Sequence, residues 1–302
     1  MEQKLEGAGD GGLEAREVSF FTKIKPSLTW VIVIALGFAF GNYLTSAFLG
    51  HGESFESEES YADEYATSYE GCNAAGINLH GSLYTYIPQY AEGDPDADYD
   101  VTSSEDFMWR METANEDEAV KVIVVEVDSG GGSPVAGEEM GEAIKNSAKP
   151  VVAFIRDIGA SAAYWAVSGA DKIYASENSD VGGIGVTMSY LNNVEKNKNE
   201  GFGYENLSIG KYKDAGSPDR ALSAEERQIF VRDLNIIYEN FVAEISENRN
   251  IAIDKVRGFS DGSTVLGMKA KELGLIDEIG GIYEVEKYIE ETLGEPAEIC
   301  WR

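Results

Sequence analysis

Two apolar runs constrain this fold more than anything else in the chain: Val122–Asp128 (V-I-V-V-E-V-D) and Val151–Ile155 (V-V-A-F-I). Each is short for a helix, and each is too uniformly apolar for a strand with one wet face. A strand covered on both faces meets both limits, and such strands belong to largely parallel sheets flanked by helices. The neighbouring segments agree. Ile77–Ile87 alternates as a strand, Ser104–Asn115 and Val135–Asn146 read as helices, Ser161–Gly169 reads as a short helix, and Lys172–Ala175 is strand-like. That order predicts an α/β domain. Ser223 and Glu226 form a capping-box pair. Behind them Ile229, Phe230, Leu234, Ile237, Tyr238, Phe241, Val242 and Ile245 recur at helical spacing, a stripe suited to core or subunit packing.

The first 75 residues obey other rules. Residues 1–27 are polar and mixed in charge, and from Leu28 to Gly50 no residue is charged. A helix over 28–50 is long enough to span a hydrocarbon core, with Trp30 and Tyr43 suited to the interfaces. A cleaved signal peptide would have a shorter apolar region nearer the N-terminus, so an uncleaved anchor is expected. Lys23 and Lys25 precede the span, and no Lys or Arg lies between residue 50 and Arg110. The charge asymmetry predicts a single-pass protein of the cell membrane, N-terminus cytoplasmic and the rest extracytoplasmic. Residues 51–75 read as an acidic linker, leaving 76–302 as the globular domain.

Lys and Arg number 24 against 54 Asp and Glu, a net charge of −30. Such a surface repels phosphate, so no nucleic acid partner is expected. The two cysteines, Cys72 and Cys300, have no zinc-site spacing, and no metal is expected. They flank the globular domain, and both a disulfide and a pair of buried thiols fit the sequence.

Three short segments carry chemistry. Asp128-Ser129-Gly130-Gly131-Gly132-Ser133-Pro134 follows a buried strand. Its glycines allow a simple turn or a loop that aims N–H groups at a developing oxyanion. It lacks the Gly-Lys-Ser/Thr of a phosphate loop and the spacing of a dinucleotide fingerprint. Ile158-Gly159-Ala160-Ser161-Ala162-Ala163-Tyr164 places a serine at a helix start among small residues, either as an N-cap or as a nucleophile beside free N–H groups. A serine nucleophile needs a base. The only histidines are His51, beside the apolar stretch, and His80, in the first strand with no catalytic pattern around it. Gly210-Lys211-Tyr212-Lys213-Asp214-Ala215-Gly216-Ser217-Pro218 offers lysines instead, and a lysine can act as a base where desolvation disfavours its ammonium form.

Together these segments resemble the signal peptide peptidase A family of Ser-Lys proteases, over about residues 76–289. The resemblance continues through Ala170–Ala175 (A-D-K-I-Y-A), Gly182–Val186 (G-G-I-G-V) and Gly267–Gly281 (G-M-K-A-K-E-L-G-L-I-D-E-I-G-G). It implies a ClpP/crotonase-like fold after one N-terminal transmembrane helix, with Ser161 as nucleophile. It selects Lys213 over Lys211 as base, and it puts the oxyanion donors at Gly131, Gly132 and Ala162. It implies a serine endopeptidase without cofactor, acting on peptide substrates with hydrophobic segments near a membrane, such as remnant signal peptides. It also implies a homo-oligomer in which one subunit's lysine faces its neighbour's serine. Gly130 stands where the family usually has Pro, Gly183 where Ser is frequent, and Ala162-Ala163 where Gly-Gly is common. The rival readings are a Ser-Lys protease of membrane-protein tails, an acyl-CoA enzyme on the same scaffold, and a catalytically dead assembly module.

Overall fold

The computed structural model describes Tyr69, residues 71–87 and residues 100–301, all within the compact unit Thr67–Arg302. The expected membrane span at 28–50 and most of the acidic linker lie outside the described residues. Among the described residues no helix is long and apolar enough to cross a membrane.

The chain alternates strand and helix as its patterning demands. β1 (Ala74–Tyr84) and β2 (Val101–Ser103) precede α1 (Ser104–Glu116); β3 (Val122–Gly132), α2 (Pro134–Lys145), β4 (Val151–Ala160) and α3 (Ala162–Val167) follow. Then come β5 (Lys172–Ala175), β6 (Asp180–Gly182), α4 (Val194–Asn199) and the long α5 (Ala224–Asn248). The chain ends with α6 (Ile253–Phe259), β7 (Thr264–Leu266), α7 (Gly267–Leu273), β8 (Glu278–Ile279), α8 (Ile282–Leu293) and β9 (Ile299–Trp301). The main path of the sheet runs β2-β1-β3-β4-β5-β8, all parallel, and β9 adds to the start of β1. Only β6 and β7 pair antiparallel among the described residues, so the sheet is mixed.

Both faces of the central strands are covered, which explains their unbroken apolar runs. Ile123, Val125 and Val127 of β3 and Val151, Ala153 and Ile155 of β4 join the larger core with α1, α2, α3 and part of α5. Val122, Val124, Val152 and Phe154 point the other way, into a smaller core closed by Val285 and Ile289 of α8. Glu126 interrupts the run where that cover ends. Its carboxylate meets His80 at 3.1 Å and Arg156 at 2.9 Å, on the two neighbouring strands.

Three boundaries correct the sequence reading. The folded domain starts before residue 76: β1 begins at Ala74, and Tyr69, though set among acidic residues, is buried in the larger core. β3 does not stop at Asp128 but continues through its glycines to Gly132, with register shifts against β1 and β4 just before them. β4 runs on past Arg156 and Asp157, because Ile158–Ala160 pair with β6.

Cys72 and Cys300 form a disulfide, with Cα atoms 6.0 Å apart and a sequence separation of 228. It locks β9 beside β1. Closing so long a loop restricts the unfolded chain strongly, by about 2–5 kcal/mol of stability. Cys72→Ser is therefore expected to lower the thermal midpoint to the value that reductant produces in the unsubstituted chain. An unchanged midpoint by calorimetry would contradict that contribution.

Candidate active site

The parallel strands β3 and β4 deliver two small-residue segments to the same end of the sheet. β4 ends at Ala160, and α3 starts at Ala162, so Ser161 makes the whole turn. It does so with φ 54° and ψ −129°, one of two non-glycine residues with positive φ among those described. A residue with a Cβ pays about 1–3 kcal/mol for such a backbone, and it persists only where its surroundings enforce it. They do: the Ser161 N–H donates to Gly182 O at 2.8 Å, and Ser161 O accepts from Trp165 N–H at 2.9 Å. The Ser161 hydroxyl makes no capping hydrogen bond, so of the two roles left open by the sequence, the capping one is not taken.

Gly131 packs directly behind this turn, with φ +97°. A Cβ there would stand 2.8 Å from Ser161 Cβ, Ala160 O and Ala162 N, so only glycine fits. The Gly131 N–H donates to Ser129 Oγ at 3.1 Å, and Ser129 Oγ donates to Gly81 O at 2.6 Å. Gly131 therefore builds the loop, and its own N–H is already engaged. One residue on, Gly132 lines a cavity of about 510 Å³ together with Ser161, Ala162, Trp165, Phe241 and Asp261. Trp165 and Phe241 stack with centroids 4.6 Å apart and planes within 6°, giving the cavity an apolar wall. Sequence reasoning placed Phe241 in a packing stripe and passed over Asp261, whose loop reaches the cavity only through long-range contacts.

Gly183 also lines the cavity, at φ +56°. A Cβ there would lie 3.2 Å from Ala160 Cβ and 3.3 Å from Ser161 N, so a serine at this position would press on the Ser161 turn.

The lysine segment is built differently. Lys211 Nζ pairs with Glu225 Oε2 at 2.6 Å, and that bond, helped by Tyr212, raises its pKa and holds it protonated. Lys213, two residues on, is solvent-exposed and is not among the residues that line the Ser161 cavity. The chain thus brings Ser161, Gly132 and Ala162 together, packs Gly131 behind them, and leaves Lys213 outside.

What fixes the lysine segment is its neighbour. Asp214 accepts from Arg220 Nε and from Tyr204 Oη, both at 2.7 Å. Arg220 also grips Glu226, which closes the capping box on Ser223 at the start of α5. The Arg220 guanidinium, with the Ser223 N–H, holds the Glu226 carboxyl down at about 2, well below its ordinary value of 4.5. A depressed folded-state pKa means that the stabilisation is present above the ordinary value and is lost as pH falls through the folded one. Amide exchange in residues 214–226 is therefore expected to accelerate selectively as pH drops from about 4.5 toward 2. Uniform acceleration across the domain would contradict this local latch.

The profile of peptidase family S49 matches residues 143–294, from the end of α2 through α8. A protein of Methanocaldococcus jannaschii named as a protease is 30% identical over 234 residues, covering 77% of this chain and 74% of that one. The chain belongs to peptidase family S49. An Enterococcus faecium protein named as a signal peptide peptidase is 31% identical over 179 residues, and the chloroplastic serine protease SPPA of Arabidopsis thaliana is 30% identical over 182. This S49 chain spans 52% of the first and 27% of the second. Among solved structures, a ClpP1 variant of Listeria monocytogenes aligns over 68% of this chain and 90% of its own, at 15% identity and a TM-score of 0.44. The α/β assignment itself rests on the strand order and pairing given above.

Proposed function

We propose that this S49 chain is a membrane-anchored serine endopeptidase in which Ser161 of one subunit is activated by Lys213 of a neighbour. The observation that carries the reading is the strained Ser161 turn. Its hydroxyl is free of capping, and it opens on a cavity with an apolar wall.

The reaction follows from the groups available. Neutral Lys213 takes the Ser161 Oγ proton as the oxygen attacks a peptide carbonyl. Negative charge develops on the carbonyl oxygen, where two N–H groups suit it. Ala162 begins α3, so its N–H has no intrahelical acceptor. In an extended strand successive N–H groups alternate in direction. Ser133 N–H goes to Leu83 O of β1, so that of Gly132 faces the Ser161 side. Gly131 drops out of the donor set, because its N–H serves Ser129. The lysine then passes its proton to the leaving amine, and water, activated by the same lysine, releases the acyl group.

Three further observations support a shared site. Lys211 is tied to Glu225, which leaves Lys213 as the lysine of this segment suited to a base. A base lysine must be desolvated, and the exposed position of Lys213 requires a covering surface. The segment that bears it is rich in uncovered apolar side chains: Leu207 is 91% and Ile209 fully exposed, and Leu191, Phe202 and Met188 are half-exposed or more. A concentration of exposed apolar side chains of this kind marks an interface. The disulfide suits an oxidising compartment outside the cytoplasm, in keeping with the charge asymmetry around residues 28–50. Substrates with hydrophobic segments, remnant signal peptides among them, suit the apolar wall of the cavity. The test is cleavage of a quenched hydrophobic peptide by the full-length chain, lost in Ser161→Ala. Absence of turnover by the unsubstituted chain across a peptide library would overturn the proposal.

A further inference from the structure

One charged side chain lines the Ser161 cavity among the described residues, and it is Asp261. The rest of the lining is glycine, small polar or apolar, with Pro134, Val186 and Ile237 joining Trp165 and Phe241. Asp261 is exposed, so its carboxylate stands at the open side of the cavity, where it can meet a ligand from solvent.

Asp261 is held firmly. Its Oδ1 accepts from Ser263 N–H at 2.9 Å and from Ser263 Oγ at 2.5 Å. Its neighbours are pinned on both sides: Ser260 O accepts from Tyr238 Oη at 3.0 Å, and Gly262 N–H donates to Ile184 O at 3.0 Å. The loop is thereby fastened to α5 beneath and to the Gly183–Gly185 segment of the cavity wall. Both bonds to the carboxylate land on Oδ1, so Oδ2 keeps its lone pairs for a ligand. The same two bonds hold the carboxyl below its ordinary range, so it is ionised at neutral pH. The stacked Trp165 and Phe241, largely buried in the same lining, offer nothing to a charge and suit an aliphatic or aromatic side chain.

We infer that Asp261 selects peptides that place a cation beside the apolar side chain seated against Trp165 and Phe241. The cation is a Lys or Arg side chain or a free α-ammonium group, since all three present N–H donors to a carboxylate. A role in pairing with the neighbour's Lys213 is disfavoured on chemical grounds: a carboxylate on that lysine would stabilise its charged form, and a base must be neutral. The inference rests on the peptidase reading above and adds to it a substrate class, apolar segments flanked by positive charge.

The test reads binding, so that it does not depend on turnover. Full-length Ser161→Ala is titrated calorimetrically with N-acetylated peptides identical except for Lys, Gln or Glu beside a central Leu. The Lys peptide is expected to bind about three- to fivefold tighter than the Gln peptide, with the Glu peptide weakest, and the spread to narrow with added salt. Adding Asp261→Asn should bring the ratios to about one; Asn keeps an Oδ1 acceptor for Ser263, so the loop geometry is preserved. Asp261→Glu, which retains the charge, should retain the order. A Gln peptide with a free amino terminus distinguishes the sources: a gain over its acetylated form that vanishes in Asp261→Asn assigns the cation to the α-ammonium. Equal binding of the three acetylated peptides with no gain from the free amino terminus, or a preference untouched by Asp261→Asn, overturns the inference while leaving the peptidase reading in place. Failure to bind any peptide, together with no turnover by the unsubstituted chain, overturns both.

Discussion

Ser161→Ala is expected to abolish peptide turnover, by on the order of 10⁴-fold or more, while leaving the domain folded. The two halves of that expectation have separate physical grounds. In the proposed reaction the hydroxyl is the atom that attacks, so its removal leaves the cavity without the nucleophile that the reading requires. Stability is spared because the hydroxyl makes no capping bond, so its removal strands no partner. Alanine, like serine, carries a Cβ at φ 54°, so the backbone strain is unchanged, and the effect on stability stays within about 1 kcal/mol. Ser161→Gly sharpens the contrast, since it removes the nucleophile and also relieves the strain. It is expected to be inactive and at least as stable as the parent. Quenched-peptide turnover and urea unfolding read the two halves independently. Retained turnover in a clean Ser161→Ala preparation would refute the nucleophile, and a large loss of stability would mean that the turn depends on the hydroxyl.

Much of this frame was legible in the residues. Val122–Val127 and Val151–Ile155 announce themselves as doubly covered strands, because burial on both faces suppresses alternation. The capping box at Ser223 and Glu226 reads directly, since both partners lie within one turn. The site is legible only in part. The run of small residues around Ser161 marks a tight place, but positive φ at Ser161 is enforced by Gly182 and Gly131, distant in sequence. The glycine loop reads as a possible donor set, but composition does not show that Ser129 Oγ folds back to accept from Gly131 N–H. The bonds that fasten the Asp261 loop, from Tyr238 to Ser260 O and from Gly262 N–H to Ile184 O, form only in the folded chain, and the sequence does not single out that aspartate among 54 acidic residues. Arg220 is hidden for the same reason: it spans Asp214 and Glu226, and neither pattern nor propensity reports such a bridge.

The second large effect concerns Lys213, which sequence resemblance puts beside Ser161 and which a single chain leaves exposed. Both facts hold if the base is supplied across a subunit boundary. Lys213→Ala and Lys213→Arg are then each expected to be as inactive as Ser161→Ala, the second because a guanidinium stays protonated. Lys211→Ala, which removes an ion pair with Glu225 and a contact with the Tyr212 ring, should keep substantial activity. The decisive experiment mixes two dead chains, Ser161→Ala and Lys213→Ala, under conditions that permit subunit exchange. In a mixed assembly some boundaries place an intact Ser161 opposite an intact Lys213. In an open or closed head-to-tail ring of equal parts about one boundary in four has that arrangement, so about a quarter of the parental turnover should return. A dyad contained within one chain predicts none, because every chain lacks one member. Exchange is verified separately, by energy transfer between differently labelled subunits. If labels mix and turnover stays absent, the shared site fails, and Lys213 must reach Ser161 by movement of its own segment. If turnover returns at about the expected fraction, the exposed lysine and the apolar surface around it are two sides of one interface, and a lone subunit is inactive for want of a covered base.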